Sequence, residues 1–100
     1  HCFYGYPIVI SEEAPFSRKE LVNHLEKSGI ETRAFMGGDL SLQPAYVDRK
    51  WRKPFEMTNT HTMLNKAFFI GCHPFIDAEQ RDHILQTFKN FFSSLKESAK

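Results

Sequence analysis

Hydrophobic and polar positions divide the chain into short segments of changing period. From Phe3 to Ile10 the letters FYGYPIVI are aromatic and β-branched, the composition of a strand. Pro7 cannot donate to a ladder, so this strand belongs at a sheet edge, where one row of N–H groups is unpaired. SEEAPF follows as a loop, and Ser17 with Glu20 has the capping-box form that opens a helix. Leu21, Val22 and Leu25 recur at helical spacing, Lys19, Glu20, Glu26 and Lys27 fall largely off that stripe, and Gly29 supplies the left-handed residue that ends helices. The pattern predicts a helix from Ser17 to about Ser28. Ile30 to Met36 alternates weakly and predicts a second, half-buried strand stopped by Gly37, Gly38 and Asp39.

The stretch from there to Glu56 has two prolines, a basic cluster and no sustained period, which predicts an irregular surface loop. Loops this long in small domains are often functional. Asn59 or Thr60 can cap a short helix carrying Met63 and Leu64, and the apolar run AFFIGC from Ala67 to Cys72 fits a central strand ended by Pro74. Asp77 then caps the strongest helix, whose Ile84, Leu85, Phe88, Phe91, Phe92 and Leu95 form one apolar face. The order strand, helix, strand, loop, short helix, strand, long helix predicts an α+β, two-layer sandwich: a small, mostly antiparallel sheet of about three strands with helices on one face. Residues 1–100 read as a single domain, without internal repeats or a second boundary.

Composition changes this picture little. At 41% apolar and 25% charged residues the chain is ordinary globular material, and ten Phe among fourteen aromatics is its one unusual figure. A net charge of +1 removes the whole-domain electrostatic case for a nucleic-acid or polybasic membrane protein. No apolar run reaches the roughly 18 residues of a membrane span, and no signal peptide is visible, so a soluble, cytoplasmic setting is expected. Cys2 and Cys72 do not make a disulfide scaffold and are expected to be reduced thiols. The chain opens on His1 rather than Met, which suggests a processed product or a piece excised from something longer.

Five His and two Cys invite a metal reading, but no pair has the spacing that sets two ligands around one ion, and none is expected. Cys72 and His73 are neighbours whose side chains would point to opposite faces of a strand, so they cannot form a nucleophile–base dyad, and Cys72 reads as a small buried apolar residue. His73 reads equally as an exposed loop residue and as a ligand-facing one. Arg49, Lys50, Arg52 and Lys53 surround Trp51, a basic cluster with a stacking ring that suits phosphates or a base, although such runs are usually solvated loops. No glycine-rich phosphate cradle accompanies it. Arg33 carries a planar fork suited to carboxylate or phosphate. These residues define one candidate anion-binding edge, made by Arg33, the loop from Gln43 to Tyr46, and His73, and they name no reaction.

The motif order is more specific. FYGYPI near the start, R-x2-L-V-x2-L-x3-G-I-x-T-R from Arg18 to Arg33, then GGDLSLQPAY, FFIGCHPFI and the long final helix resemble the C-terminal small domain of the DegT-type sugar-nucleotide aminotransferase family, pyridoxal-phosphate (PLP) enzymes of fold type I. The resemblance covers nearly all of residues 3–95 and points to the lipopolysaccharide 3-dehydrases acting on a CDP-linked 4-keto-6-deoxyhexose. Two departures stand out: Met36, Gly37, Gly38 and Asp39 replace the usual F-x-G-N, so a carboxylate stands where an Asn amide is expected, and Phe75 replaces the last glycine of the G-x-x-P-G-like turn.

The resemblance implies a domain that covers the active site and is inactive alone, with substrate contacts from Arg33, Asp39, Gln43, Tyr46 and His73 and no catalytic residue. It implies PLP in the full-length enzyme and none bound to this fragment, because the Schiff-base Lys, or the His that replaces it in dehydrases, belongs to the N-terminal large domain. It further implies a nucleotide-linked deoxysugar substrate, by transamination or dehydration, and a homodimer. The competing reading is a free-standing phosphate- or nucleic-acid-binding module built on Arg49 to Lys53.

Overall fold

A computed structural model describes residues 3–98. The elements run β1 (Gly5–Val9), α1 (Arg18–Lys27), β2 (Thr32–Arg33), α2 (Thr58–Lys66), β3 (Ala67–Gly71) and α3 (Ala78–Ser98), with a short 3-10 turn at Leu40–Leu42. The sheet order is β1-β3-β2, and both pairings are antiparallel. The continuous apolar segment therefore takes the centre, the only strand with a neighbour on each side. Pro7 lies on the β1 edge opposite Phe69, as its missing N–H requires.

Local chemistry defines both long helices. Ser17 caps α1 in a full capping box, with the Glu20 N–H donating to Ser17 Oγ at 3.2 Å and the Ser17 N–H to Glu20 Oε2 at 2.7 Å. At the other end Gly29, with φ 79°, makes a Schellman turn, in which the Ile30 N–H donates to Leu25 O and the Gly29 N–H to Glu26 O, both at 3.0 Å. Asp77 and Gln80 cap α3 reciprocally: the Gln80 N–H donates to Asp77 Oδ1 at 2.8 Å and the Asp77 N–H to Gln80 Oε1 at 3.1 Å.

Strand alternation then sorts the side chains. Ile8, Phe68 and Ile70 point to the helix side, where Leu21, Leu25 and Phe91 close over them together with Ile10 and Ile30. Phe68, Leu21 and Leu25 are the largest fully buried side chains, each contributing about 2–3 kcal/mol of transfer free energy. Two histidines stitch the helices: His24 Nε2 meets Thr87 O at 3.2 Å, and His83 Nε2 meets Ser28 O at 2.8 Å. Among the described residues, no helix covers the opposite face of the sheet, where Pro7, Val9 and Arg33 are exposed. Its Phe69 ring lies over Gly5, where a Cβ would come within 2.4 Å of the ring, and touches Tyr4 and Phe35 at centroid distances of 5.8 and 5.6 Å.

The structure departs from the sequence pattern at four places. Strand β2 holds only Thr32 and Arg33, because the chain turns at Met36 and Gly38, with φ 41° and 63°, and the Gly38 N–H donates to Phe35 O at 2.9 Å. Helix α2 starts at Thr58 with no side-chain cap, so neither Asn59 nor Thr60 caps it; its far end is held by Arg18, whose Nη1 donates to Leu64 O at 2.7 Å and Ala67 O at 3.1 Å. Cys72 is exposed rather than buried, since β3 ends one residue earlier. On α3, Leu85 and Phe92 turn outward, leaving a core stripe of Ile84, Phe88, Phe91 and Leu95.

That stripe separates two neighbouring classes of position on one helix. Phe91→Ala is expected to cost about 3–5 kcal/mol of unfolding free energy, and Leu85→Ala no more than about 0.5. Urea unfolding of both variants measures this, and equal losses would mean that the helix is rotated from the orientation described.

Candidate functional site

Four of the five candidate side chains fall into two clefts, and Gln43 lines neither. Arg33 leaves β2 at the register of Phe69, and His73 follows the end of β3, so the antiparallel pairing brings both to the edge of the sheet. They line one cleft of about 870 Å³, closed on its other side by the first turns of α3 with Asp77, Gln80 and His83. Arg33 pairs there with Glu31, and both side chains are largely exposed, so the pair is screened and exchanges readily for another anion. His73 is held more firmly. Its Nδ1 accepts from the Phe75 N–H at 3.1 Å, and the two rings touch at 5.0 Å. With Nδ1 as the acceptor, the neutral ring carries its proton on Nε2, facing outward as a donor.

Asp39 and Tyr46 line a second groove of about 1080 Å³ together with Arg49, Lys50, Trp51 and Arg52. Asp39 is almost fully buried and works first on its own chain: its Oδ1 accepts from the Ser41 N–H at 2.9 Å and Ser41 Oγ at 2.6 Å, and its Oδ2 lies 3.1 Å from His61 Nε2. The Ser41 hydroxyl bond, the Ser41 N–H and His61 hold its carboxyl below the usual range against the opposing effect of desolvation. Asp39 thus fastens the 3-10 turn to α2. Gly38 reinforces the join, since a Cβ there would fall 2.4 Å from Leu64 Cδ1. Gln43 lines neither cleft; its Nε2 donates to Gly37 O at 2.8 Å, within the loop.

The candidate edge drawn from sequence is therefore split. Arg33 and His73 share one cleft, Asp39 and Tyr46 the other, and Gln43 supports the backbone between. Sequence reasoning missed His61, 22 positions from its partner Asp39, and His83, whose place in the first cleft depends on the packing of α3 against α1. Neither had a local signal. Arg18 was visible only as the first letter of a motif. Among the described residues, no three His, Cys, Asp or Glu side chains converge as metal ligands, and no helix is long and apolar enough to cross a membrane.

Comparison with known proteins adds chemistry that the geometry alone lacks. The sequence profile of the DegT/DnrJ/EryC1/StrS aminotransferase family matches residues 1–89. The chain is 36% identical over 90 residues to the lipopolysaccharide biosynthesis protein RfbH of Salmonella typhimurium, covering 90% of this chain and 21% of that protein. It is 32% identical over 89 residues to a dTDP-4-dehydro-2,6-dideoxy-D-glucose 3-dehydratase of Saccharopolyspora spinosa, covering 89% of this chain and 19% of that protein. The chain thus spans about one fifth of the length of these curated relatives.

Three carboxylates are held below their usual range: Asp39, Glu20 by the Ser17 hydroxyl and N–H, and Glu26 by the Thr32 hydroxyl and N–H. A lowered folded-state value means that the unfolded chain binds more protons, so their stabilisation is complete above the ordinary carboxylate range of about 4 and is lost as pH falls through the lower folded values. Urea midpoints should therefore drop between pH 5 and pH 3, and Asp39→Asn should flatten part of that drop. An unchanged acid slope in Asp39→Asn would show that the Asp39 carboxylate takes no part in it.

Proposed function

The chain belongs to the DegT/DnrJ/EryC1/StrS aminotransferase family, and from that premise we propose that it is the C-terminal small domain of a PLP-dependent aminotransferase or 3-dehydrase acting on a nucleotide-linked deoxysugar. The observation that carries this reading is the match of about nine tenths of the chain to about one fifth of two relatives whose names place them in lipopolysaccharide and dideoxysugar chemistry. When bound, PLP would supply an electron sink for carbanion chemistry.

The first cleft does not fit the cofactor. Its lining holds Arg33, His73 and His83 but no lysine to carry an aldehyde, and three carboxylates, Glu31, Asp77 and Glu79, stand where a phosphate cup would need donors. The same lining suits a polyhydroxylated substrate. Carboxylates and the Gln80 amide accept and donate to hydroxyls, the outward Nε2–H of His73 donates to a carbonyl or hydroxyl oxygen, and Arg33 exchanges Glu31 for a substrate anion. The domain orients the sugar and excludes water, while cofactor chemistry belongs to the rest of the protein.

The exposed surface supports that division of labour. Tyr4, Met36, Leu40, Leu42, Phe55 and Phe75 are all largely exposed, and the sheet face bearing Phe69 has no second layer. Apolar area of this extent marks a surface that another unit covers, here the large domain of the same protein.

In the longer protein, Arg33→Ala and His73→Ala should each raise KM for the nucleotide sugar about ten- to hundredfold, the loss of one charge-assisted or donor hydrogen bond of about 1.5–3 kcal/mol, with cofactor absorbance unchanged. Unchanged KM in both variants would remove the first cleft from the substrate site. A stoichiometric cofactor absorbance band from residues 1–100 alone would overturn the proposed division of labour.

A further inference from the structure

The second groove has no part in the reading above, yet its charges are arranged unlike those elsewhere on the surface. Among the described residues, five cations are engaged, Arg33 with Glu31, Lys53 with Glu56 at 3.6 Å, Lys66 with Glu12, and Arg18 and Arg81 with backbone carbonyls, while Lys19, Lys27, Lys89 and Lys96 are spread along the two long helices. Among the described residues, Arg49, Lys50 and Arg52 have no carboxylate within the 4.0 Å of an ion pair. They lie within four consecutive positions, and all line the same groove. Like charges held this close repel one another unless an anion sits among them.

Three aromatic rings, Tyr46, Trp51 and Phe55, share the groove. Trp51, between Lys50 and Arg52, is 47% exposed, and Tyr46 is 51% exposed. A half-exposed indole next in sequence to an ammonium and a guanidinium offers a face for stacking a planar ring, with cationic donors for phosphate oxygens lining the same groove. Three cations match the two to three negative charges of a diphosphate. They do not match the long charge track of a nucleic acid, which the chain's net +1 also fails to support. One wall is fixed before any ligand arrives, because Asp39 ties the 3-10 turn to His61 on α2 and Gly38 packs on Leu64.

We propose that this groove seats the nucleoside diphosphate half of the substrate, with Arg49, Lys50 and Arg52 on the diphosphate and Trp51 stacked on the base. The identity of the ligand rests on the nucleotide-sugar reading above; the binding chemistry of the groove does not. Specificity for the base is then set by residues other than those that meet the hexose.

Trp51 is the only tryptophan in the sequence, so the intrinsic fluorescence of the chain reports this groove directly. Titration with CDP and with dTDP at low salt should give a saturable change, weakened on the order of tenfold between 50 and 200 mM salt. Cytidine, which lacks the diphosphate, should bind far more weakly. Arg49→Ala with Arg52→Ala should abolish the response, and Lys89→Ala, an exposed cation on α3, should leave it intact, with circular dichroism confirming that both variants are folded. No saturable response at low salt, or a response that survives in the folded double variant, overturns the proposal. Tighter binding of a single-stranded oligonucleotide than of either nucleotide also overturns it, in favour of a nucleic-acid site. In the longer protein the double variant should raise KM with cofactor absorbance unchanged; an unaltered KM there overturns the groove assignment alone. If the longer protein turns over no nucleotide sugar while the chain still binds CDP through Arg49 and Arg52, the functional reading fails and the groove stands.

Discussion

Burial of Phe68 and Ile70 beneath α1 and α3 is the constraint on which the rest of the molecule depends. Both side chains leave one face of the central strand, and the other aromatic and β-branched run, Phe3 to Ile10, carries Pro7, which cannot donate to a ladder on both sides. Once β3 is central, β1 must run antiparallel along one edge and β2 along the other, and the helices must lie on the side where Phe68 and Ile70 point. Arg18 then reinforces the arrangement at the point where α2 passes into β3, by holding carbonyls on both elements. The first cleft follows from the same pairing. Arg33 and His73 meet only because β2 and the end of β3 share an edge beside the start of α3.

Pairing and burial explain which features were legible in the sequence. The caps of α1 and α3 are local, built from side chains three residues apart, and both are present where Ser17 and Asp77 indicated. The edge position of Pro7 and the central position of AFFIG follow from backbone chemistry and from the continuous apolar run, and they too were legible. The length of β2 was not, because a ladder ends where its partner ends and where a turn begins, and the turn depends on a positive φ at Met36 that no residue preference announces. The outward rotation of Leu85 and Phe92 was equally hidden. A helix with six apolar positions over three turns has more apolar surface than a two-layer fold can cover, and only packing decides which part stays in water.

The candidate site shows a sharper limit. Arg33, Asp39, Gln43, Tyr46 and His73 were drawn together by motif, as if the loop from Gln43 to Tyr46 returned to the sheet edge. Asp39 prevents it. Its bonds to Ser41 and its pairing with His61 carry the loop toward α2 instead, so Tyr46 opens onto a separate groove. Here the replacement of an amide by a carboxylate gains physical meaning, since a carboxylate accepts from both the turn and the histidine ring without presenting a donor of its own. A pairing between residues 22 positions apart leaves no trace in local pattern, and that is why the division into two clefts had to come from the structure.

The shape of the domain bears on how such clefts are used. A radius of gyration of 16.6 Å exceeds the roughly 13 Å of an ordinary compact chain of this length, and the extents of 49 × 39 × 23 Å describe a slab. One side of the slab is closed by helices that bury the core; the other presents Phe69, Tyr4 and Phe35 in ring contact with little above them. A sheet left with one covered face loses about half of the burial available to a three-layer fold, so its open face stabilises the domain only when something packs on it. The cost of that openness is borne by the helix side, through Phe68, Leu21 and Leu25 and the two histidine links between helices. The first cleft lies where these two sides meet, lined both by Tyr4 and Phe69 of the open face and by Ile30 and Ile84 of the core. The walls around Arg33 and His73 are therefore continuous with the open face of the sheet.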